Sequence, residues 1–311
     1  MCKISERIVK NEVKVMDRSD LANRMKEYEK AGQRYLTRRM PILLRLDGCH
    51  FHSFAKNFKR PFDEVLIKTM QETTKYLCEN IQGATLAYCQ SDEITILLVD
   101  YKNVNSSAWF DNRQNKIESV AASMCTMAFN KFFRQNAEEF IQDCATDYET
   151  NGLYGEGTIE YKLCKTYQMA IEKGAYFDCR AFNIPKEDVT NNFYWRQLDA
   201  SRNSIQMVGQ ANFSHKELHK KTCNMIQDML MTQKGINWND FPTYQKRGSC
   251  VIKEEYAVNK DGEEVEIDSI SDVDEPVEEF PIRTRWIIDK NIPIFRGLSR
   301  DYIEKLILAG E

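Results

Sequence analysis

Two carboxylates in this sequence stand where metal-dependent phosphoryl chemistry would need them. Asp47 ends the apolar run PILLRLDG (41–48), and Asp92 sits in the turn of ATLAYCQSDEITILLVDY (84–101). Acidic side chains brought together at strand ends repel one another unless a cation lies between them. Mg²⁺ takes oxygen ligands and keeps waters and substrate phosphates, so Asp47, Asp92 and a backbone carbonyl at Gly48 form a sufficient protein contribution. Two such ions can clamp the attacking and leaving oxygens of an in-line displacement. Asp-Gly after a strand and Ser-Asp in a hairpin are also ordinary turn signals, so spacing alone leaves both readings open. Strand alternation sends Asp92 and Glu93 to opposite faces, so one of them at most joins Asp47.

Basic residues accompany these positions. Lys56, Lys59 and Arg60 follow the first strand, and Arg113 and Lys116 open a helix, three apart and near an N-terminus that favours phosphate. A solvated helix face would look the same. His215 and His219 have the i, i+4 spacing of zinc ligands, but HKELH is not HExxH and no Cys or carboxylate partner follows. Phe51, Phe54 and Phe58 could stack a base, although core packing is the commoner role for such rings. No GxxxxGK[ST], GxGxxG or GxSxG occurs, which removes the P-loop, dinucleotide and hydrolase-elbow fingerprints.

The elements that must position these residues follow from periodicity. A helix is expected over 18–33, a buried strand over 41–48, and a helix over 63–81 capped by Asp63, with Leu66, Met70, Thr73 and Leu77 on one face. Two strands then flank Ser91-Asp92, and Ile117, Val120, Met124 and Met127 recur helically before a strand over 175–185. The order β-α-β-β-α-β is the split βαβ, ferredoxin-like arrangement, an α+β fold with an antiparallel sheet and helices on one face. Residues 135–174 fit this order poorly and read as an insertion. Ser214 and Glu217 form a capping-box signature for a further helix ending near Gly235. Beyond about 251, a hairpin around Asn259-Lys260-Asp261-Gly262 leads into an acidic loop.

Composition sets outer bounds. The 311 residues are 29% charged and 42% AVILMFWYC, ordinary for a globular enzyme. No apolar run approaches the roughly 20 residues a bilayer crossing needs, and the N-terminus has no secretory apolar region. Ten cysteines at least 11 positions apart offer no CxxC clip, which suits reduced thiols in a cytoplasmic setting. The net charge is −4, but twelve Asp/Glu and one Lys between Glu254 and Phe280 put −11 in that segment and +7 on the rest. A phosphate-rich partner is therefore allowed, though not demanded.

Several blocks carry a family likeness in order: RLDGCHFHSFAK (45–56), RPFDE (60–64), AYCQSDE (87–93), YFDCRAF (176–182), WRQLDASRNSI (195–205) and GINWNDFPTYQKRG (235–248). Together they resemble the tRNA-histidine guanylyltransferase family, enzymes that add nucleotides to tRNA 5′ ends in the 3′–5′ direction. The resemblance implies a polymerase-like palm catalytic domain over 15–250, followed by a C-terminal extension over 251–311. It implies two Mg²⁺ ions on Asp47, the Gly48 carbonyl and Asp92, with Glu93 also functionally important. Gly48, Cys49, His50, Phe51, His52, Arg60, Asp63, Ser91, Arg113 and Lys116 fall at or beside the family's nucleotide-binding positions, Asp63 as an orienting partner. It further implies ATP and GTP as substrates, tRNA as partner and a homotetramer.

Departures bear on which activity to expect. Cys49, His50 and Ser53 replace Arg, Gly and Arg of the family's DGRGFHRF, and Phe62 stands where Asn is usual. The eukaryotic HINNLYN block reads SRNSIQM (201–207), keeping Asn203 but with Ser201 for His and Ser204 for Asn. That block is associated with the extra guanosine of tRNA-histidine. Templated repair of truncated tRNA 5′ ends is therefore the leading expectation, strict guanosine addition the alternative. Palm folds also serve nucleotide cyclases, and a non-catalytic RNA-binding protein of the same fold is the reading from another class.

Overall fold

The computed structural model describes residues 19–258, 264–265 and 281–308. The first unit contains helix α1 (Asp20–Ala31), opened by Ser19, whose hydroxyl accepts from the Ala22 amide. It buries none of its own residues.

The second unit, from Tyr35, is built on one antiparallel sheet. Its first six elements are β1 (Ile42–Gly48), the short α2 (Phe51–Phe54), α3 (Glu64–Asn80), β2 (Ala84–Gln90), β3 (Glu93–Leu98) and α4 (Gln114–Asn151). Helix α5 (Ile159–Lys173), β4 (Phe177–Asn183) and α6 (Lys186–Asn212) follow. Three short helices come next, α7 (His215–Leu218), α8 (Cys223–Met229) and α9 (Thr243–Arg247), then β5 (Ser249–Val258), β6 (Glu264–Val265), β7 (Ile282–Asp289) and α10 (Asp301–Glu304). The strand order β4-β1-β3-β2 is the expected split βαβ sheet, and β5 extends it at the β2 edge. β5 crosses position 250/251, pairing with β2 from Ser249 to Ile252 and with β7 from Cys250 to Ala257. The turn at 259–262 and the acidic stretch 266–280 lie outside the described residues.

Helices cover both faces of the sheet, not one. Ile42, Leu44, Leu46, Ile94 and Ile96 pack with α3, α4 and α5, while Leu43, Tyr88, Leu97 and Val99 pack with α6 and the C-terminal segment. The signal was in the sequence: ILL and ILLV are continuous apolar runs, which mark strands buried on both sides.

Residues 135–174 are likewise no loose insertion. α4 runs unbroken for 38 residues and ends on left-handed Gly152, φ 69°. α5 returns along it, so that Phe133 and Ala137 meet Leu163, Tyr167 and Ala170 in the main core. The long polar face of this hairpin hides its core stripe from a simple periodicity count. The helix expected from Ser214 does carry the full capping box, but it is broken into α7, α8 and a π-turn at Leu230–Lys234. The first break falls at Lys220, φ 58°, and Thr222 caps the restart. Among the described residues no helix is long and apolar enough to cross a membrane.

Candidate active site

β1 delivers Asp47 to the end of the sheet, directly opposite Glu93 on β3 and Asp178 on β4. By strand alternation these three lie on the face shared with Leu43 and Leu97. Ser91 and Asp92 form the two-residue turn between β2 and β3, with Gln90 opposite Glu93 and Ser91 left-handed at φ 51°. Asp92 is a turn residue, so alternation does not bind it to the opposite face. The Gly48 amide donates to the Asp92 carbonyl at 3.1 Å, which ties the end of β1 to the turn.

The carboxylates differ in what they touch. Asp47 makes no hydrogen bond or ion pair among the described residues. Asp92 accepts from the Ser91 hydroxyl at 3.0 Å. Burial, with a smaller contribution from the Asp47 charge, holds the Asp92 carboxyl above its ordinary value, against the pull of that hydroxyl. Such a pair, neither member in an ion pair among the described residues, has the donor chemistry that a hard divalent cation takes. Among the described residues no three His, Cys, Asp or Glu side chains gather to hold a metal by themselves. A Mg²⁺ ion here would complete its shell from backbone, water and substrate, as Mg²⁺ commonly does.

Glu93 is placed otherwise. Both its oxygens accept from Arg196 of α6, Nε at 2.6 Å and Nη2 at 2.8 Å, and both side chains are 9% exposed. Arg196 also reaches Asp199 at 2.9 Å. Burial raises the Glu93 carboxyl and Arg196 opposes the rise. With each oxygen accepting from the same guanidinium, Glu93 ties α6 to the sheet, whereas Asp47 has no such partner among the described residues. The partner, 103 positions away, had no local signal in sequence.

The turn after β1 depends on Gly48. A β-carbon there would lie 2.4 Å from Cδ2 of Phe51. The Cys49 amide donates to the Tyr176 carbonyl, and left-handed His50 opens α2, so the chain folds back sharply. His50 and His52 are exposed, but the Phe51 ring is turned into the core beside Phe54 (5.1 Å), Phe129 (5.5 Å) and Phe177 (5.7 Å). Its ring is an anchor for the turn and offers no face to a nucleotide base.

Asp63 is fully engaged. It caps α3 through the Leu66 amide, accepts from the Lys59 amide, and accepts from the Tyr167 hydroxyl at 2.7 Å. It thereby orients the loop carrying exposed Lys59 and Arg60. That loop, Gln90 and Ser91, α6 and α9 enclose a cleft of about 230 Å³ that also takes in Asn203, Ser204, Met207 and Tyr244. Gly248 closes its base: left-handed at φ 83°, it lies so near the Cys89 carbonyl that a β-carbon would sit 2.4 Å from that oxygen.

Arg113 and Lys116 are not brought to this cleft. The side chain of Gln114, next to Arg113, bonds Ala181, while Thr126 and Asn130 bond Phe177 and Ala175. α4 therefore begins where β1 begins. Gln114 bonds Ala181, opposite Leu44, so Arg113 is placed toward the Ile42–Asn183 end of the sheet, away from the Asp47 end. Lys116 caps the Phe110 ring instead, at 4.5 Å. Sequence reading also missed Asp178, which only the β4 register reveals.

A family model described as "Thg1: tRNAHis guanylyltransferase" matches residues 22–185. A solved structure of a bacterial tRNA(His) guanylyltransferase (Thg1)-like protein in complex with ATP is 38% identical, with a TM-score of 0.68 over 93% of this chain and 99% of that one. A GTP complex of such a protein gives 36% identity and a TM-score of 0.65 with the same coverage. The tRNA(His) guanylyltransferase of Saccharomyces cerevisiae is 26% identical over 77% of this chain and 90% of its own length. The carboxylate pair on a ferredoxin-like palm and the match over more than half the chain lead to one conclusion: this protein belongs to the Thg1 tRNA-histidine guanylyltransferase family of nucleotidyltransferases.

Proposed function

We propose that the protein lengthens the 5′ end of tRNA in the 3′–5′ direction, adding chiefly G against a template to restore truncated ends. The observation that carries this is Asp47 and Asp92 held together by the Gly48–Asp92 backbone bond, beside a cleft edged by Lys59 and Arg60. The ATP and GTP complexes of similar bacterial proteins support nucleoside triphosphates as substrates.

The reaction has two displacements, after which pyrophosphate is removed from the new 5′ end. An oxygen of the RNA 5′-phosphate attacks the α-phosphorus of ATP or GTP, expelling pyrophosphate and leaving a nucleotidyl cap. The 3′-hydroxyl of an incoming nucleotide then attacks the RNA's own 5′-phosphorus and expels the capping mononucleotide. Two Mg²⁺ ions bound by Asp47, Asp92 and the Gly48 carbonyl would supply charge neutralisation and a more acidic hydroxyl. Lys59 and Arg60, positioned by Asp63, orient phosphate oxygens at the cleft mouth. Glu93 and Arg196 keep α6 seated so that Asn203 and Ser204 form the opposite wall.

The altered 201–207 block favours repair over strict guanosine addition. Ser201 turns its hydroxyl back to the Gln197 carbonyl, and Ser204 donates to the Lys246 carbonyl while accepting from the Trp238 indole. The higher identity to bacterial Thg1-like proteins than to the yeast enzyme points the same way. We further infer a cytoplasmic homotetramer, in which Arg113 and Lys116, remote from their own carboxylates, would serve a neighbouring copy.

The test supplies labelled GTP and Mg²⁺ with two 5′-monophosphorylated RNAs, full-length tRNA-histidine and a tRNA lacking its first nucleotide opposite C. Addition confined to the truncated RNA supports repair. Efficient addition to the full-length RNA would put strict guanosine addition first.

A further inference from the structure

Beyond Arg60 and Gln210, which also line the first cleft, a second cleft of about 540 Å³ opens among Arg60, His215, His219, Lys220 and Lys221. Phe213, Leu218 and Ile226 floor it, and no acidic residue lines it. All five basic side chains are exposed, and none makes a salt bridge among the described residues. The acid closest in sequence, Glu217, is spent on the capping box, where the Ser214 amide and hydroxyl hold it at 2.8 and 2.6 Å. Lys220 holds a left-handed backbone, φ 58°, a conformation that suits glycine better than lysine.

We propose that this second cleft binds backbone phosphates of the RNA whose 5′ end is being extended, an assignment that rests on the RNA-acting function proposed above. Two features favour a strand over the incoming nucleotide. A Mg²⁺-bound triphosphate needs carboxylate neighbours, which this cleft lacks and the Asp47–Asp92 site has. The cleft also shares Arg60 and Gln210 with the first one, which reaches Ser91 beside Asp92, so a strand whose end lies near the carboxylates has a route along that shared wall into it. Lys220 and Lys221 act as point charges, Arg60 as a planar fork, and the two imidazoles as hydrogen-bond donors to phosphate oxygen.

The experiment compares the full-length protein with the double variant Lys220→Gly, Lys221→Gln. Glycine suits the left-handed backbone at 220, so the change removes charge without adding strain. Affinity for 5′-monophosphorylated tRNA is measured by anisotropy across KCl concentrations, and affinity for GTP separately. The expected result is roughly tenfold weaker RNA binding at low salt, with the slope of log K against log salt falling by about 1.5, two contacts' worth. GTP affinity stays the same. An unchanged salt slope overturns the proposal, and a loss of GTP affinity with that unchanged slope reassigns the cleft to the nucleotide. If the double variant fails to fold, His215→Gln with His219→Gln reads the same cleft by RNA affinity. A wild-type protein that adds no nucleotide to any RNA, yet shows the slope change, would defeat the proposed function and leave the cleft standing.

Discussion

Asp92 and Glu93 are neighbours in sequence with different obligations. Asp92 faces Asp47 with a hydroxyl as its side-chain partner, while Glu93 is clasped by Arg196. Because burial and the Asp47 charge both disfavour ionised Asp92, the folded chain holds its proton to higher pH than the unfolded chain. As pH rises past the ordinary aspartate value of 3.8, ionisation therefore costs the fold more than the unfolded chain. Asp92→Asn should abolish nucleotide addition and, in metal-free protein near neutral pH, melt no lower than wild type. A marked fall in melting temperature would make the carboxylate structural. For the other residue, Arg196→Met strands a buried carboxylate and should cost about 3–5 kcal/mol in urea unfolding. Arg196→Met with Glu93→Leu should regain most of that loss, because no charge is left unpaired. Stability that does not return in the double variant would show that the pair is not the source of the loss. Asp47 and Asp92 were legible because each sits at a local signal, a strand end or a two-residue turn. Arg196 was not, because its meaning depends on a contact that only the folded sheet creates.

At the level of elements, the β1–α2 turn and the long α6 set the geometry. Gly48→Ala must displace the Phe51 ring from among Phe54, Phe129 and Phe177. Overpacking of this kind costs about 1–3 kcal/mol. The expected outcome is a lower urea midpoint together with lost activity, since the turn that aims Asp47 moves with the ring. On α6, Ser204→Ala removes the acceptor of the Trp238 indole and a donor to Lys246, and should cost about 1–3 kcal/mol by the same measurement. The four strands, the α3 cap at Asp63 and the hairpin turn could be read from periodicity and cap chemistry. The α4–α5 hairpin could not, because its buried stripe, Phe133, Ala137, Leu163, Tyr167 and Ala170, is sparse in a polar background. Phe51, Phe54 and Phe58 show the same limit: aromatic spacing does not tell a stacking platform from a core, and all three rings are buried.

For the molecule as a whole, the C-terminal region adds strands to the catalytic sheet. A chain ending at Cys250 would lose β7 and nearly all of β5, baring the Leu86–Ala87 edge of β2. Exposed apolar strand edges template aggregation. Such a truncation should elute as aggregate in size-exclusion chromatography, whereas a monodisperse, folded product would show that the extension is dispensable. Charge also acts at this scale: the excess of +7 outside 254–280 was visible in composition, but its gathering around the second cleft required the breaks at Lys220 and Thr222.

The Ser91-Asp92 turn constrains how relatives of this chain can diverge. With two residues between paired Gln90 and Glu93, one inserted residue that left the loop two residues long would slide β3 by one step and exchange its faces. Ile94 and Ile96 would then leave the α3–α4 side, and Glu93 would lose Arg196. Substitutions at this turn can be sampled one at a time, but a register slide there would disturb both cores at once. The connection at 152–158, between two helices and far from the sheet's register, carries no such constraint. Insertions and deletions among descendants should therefore collect there, while the hairpin keeps its length even where its residues change.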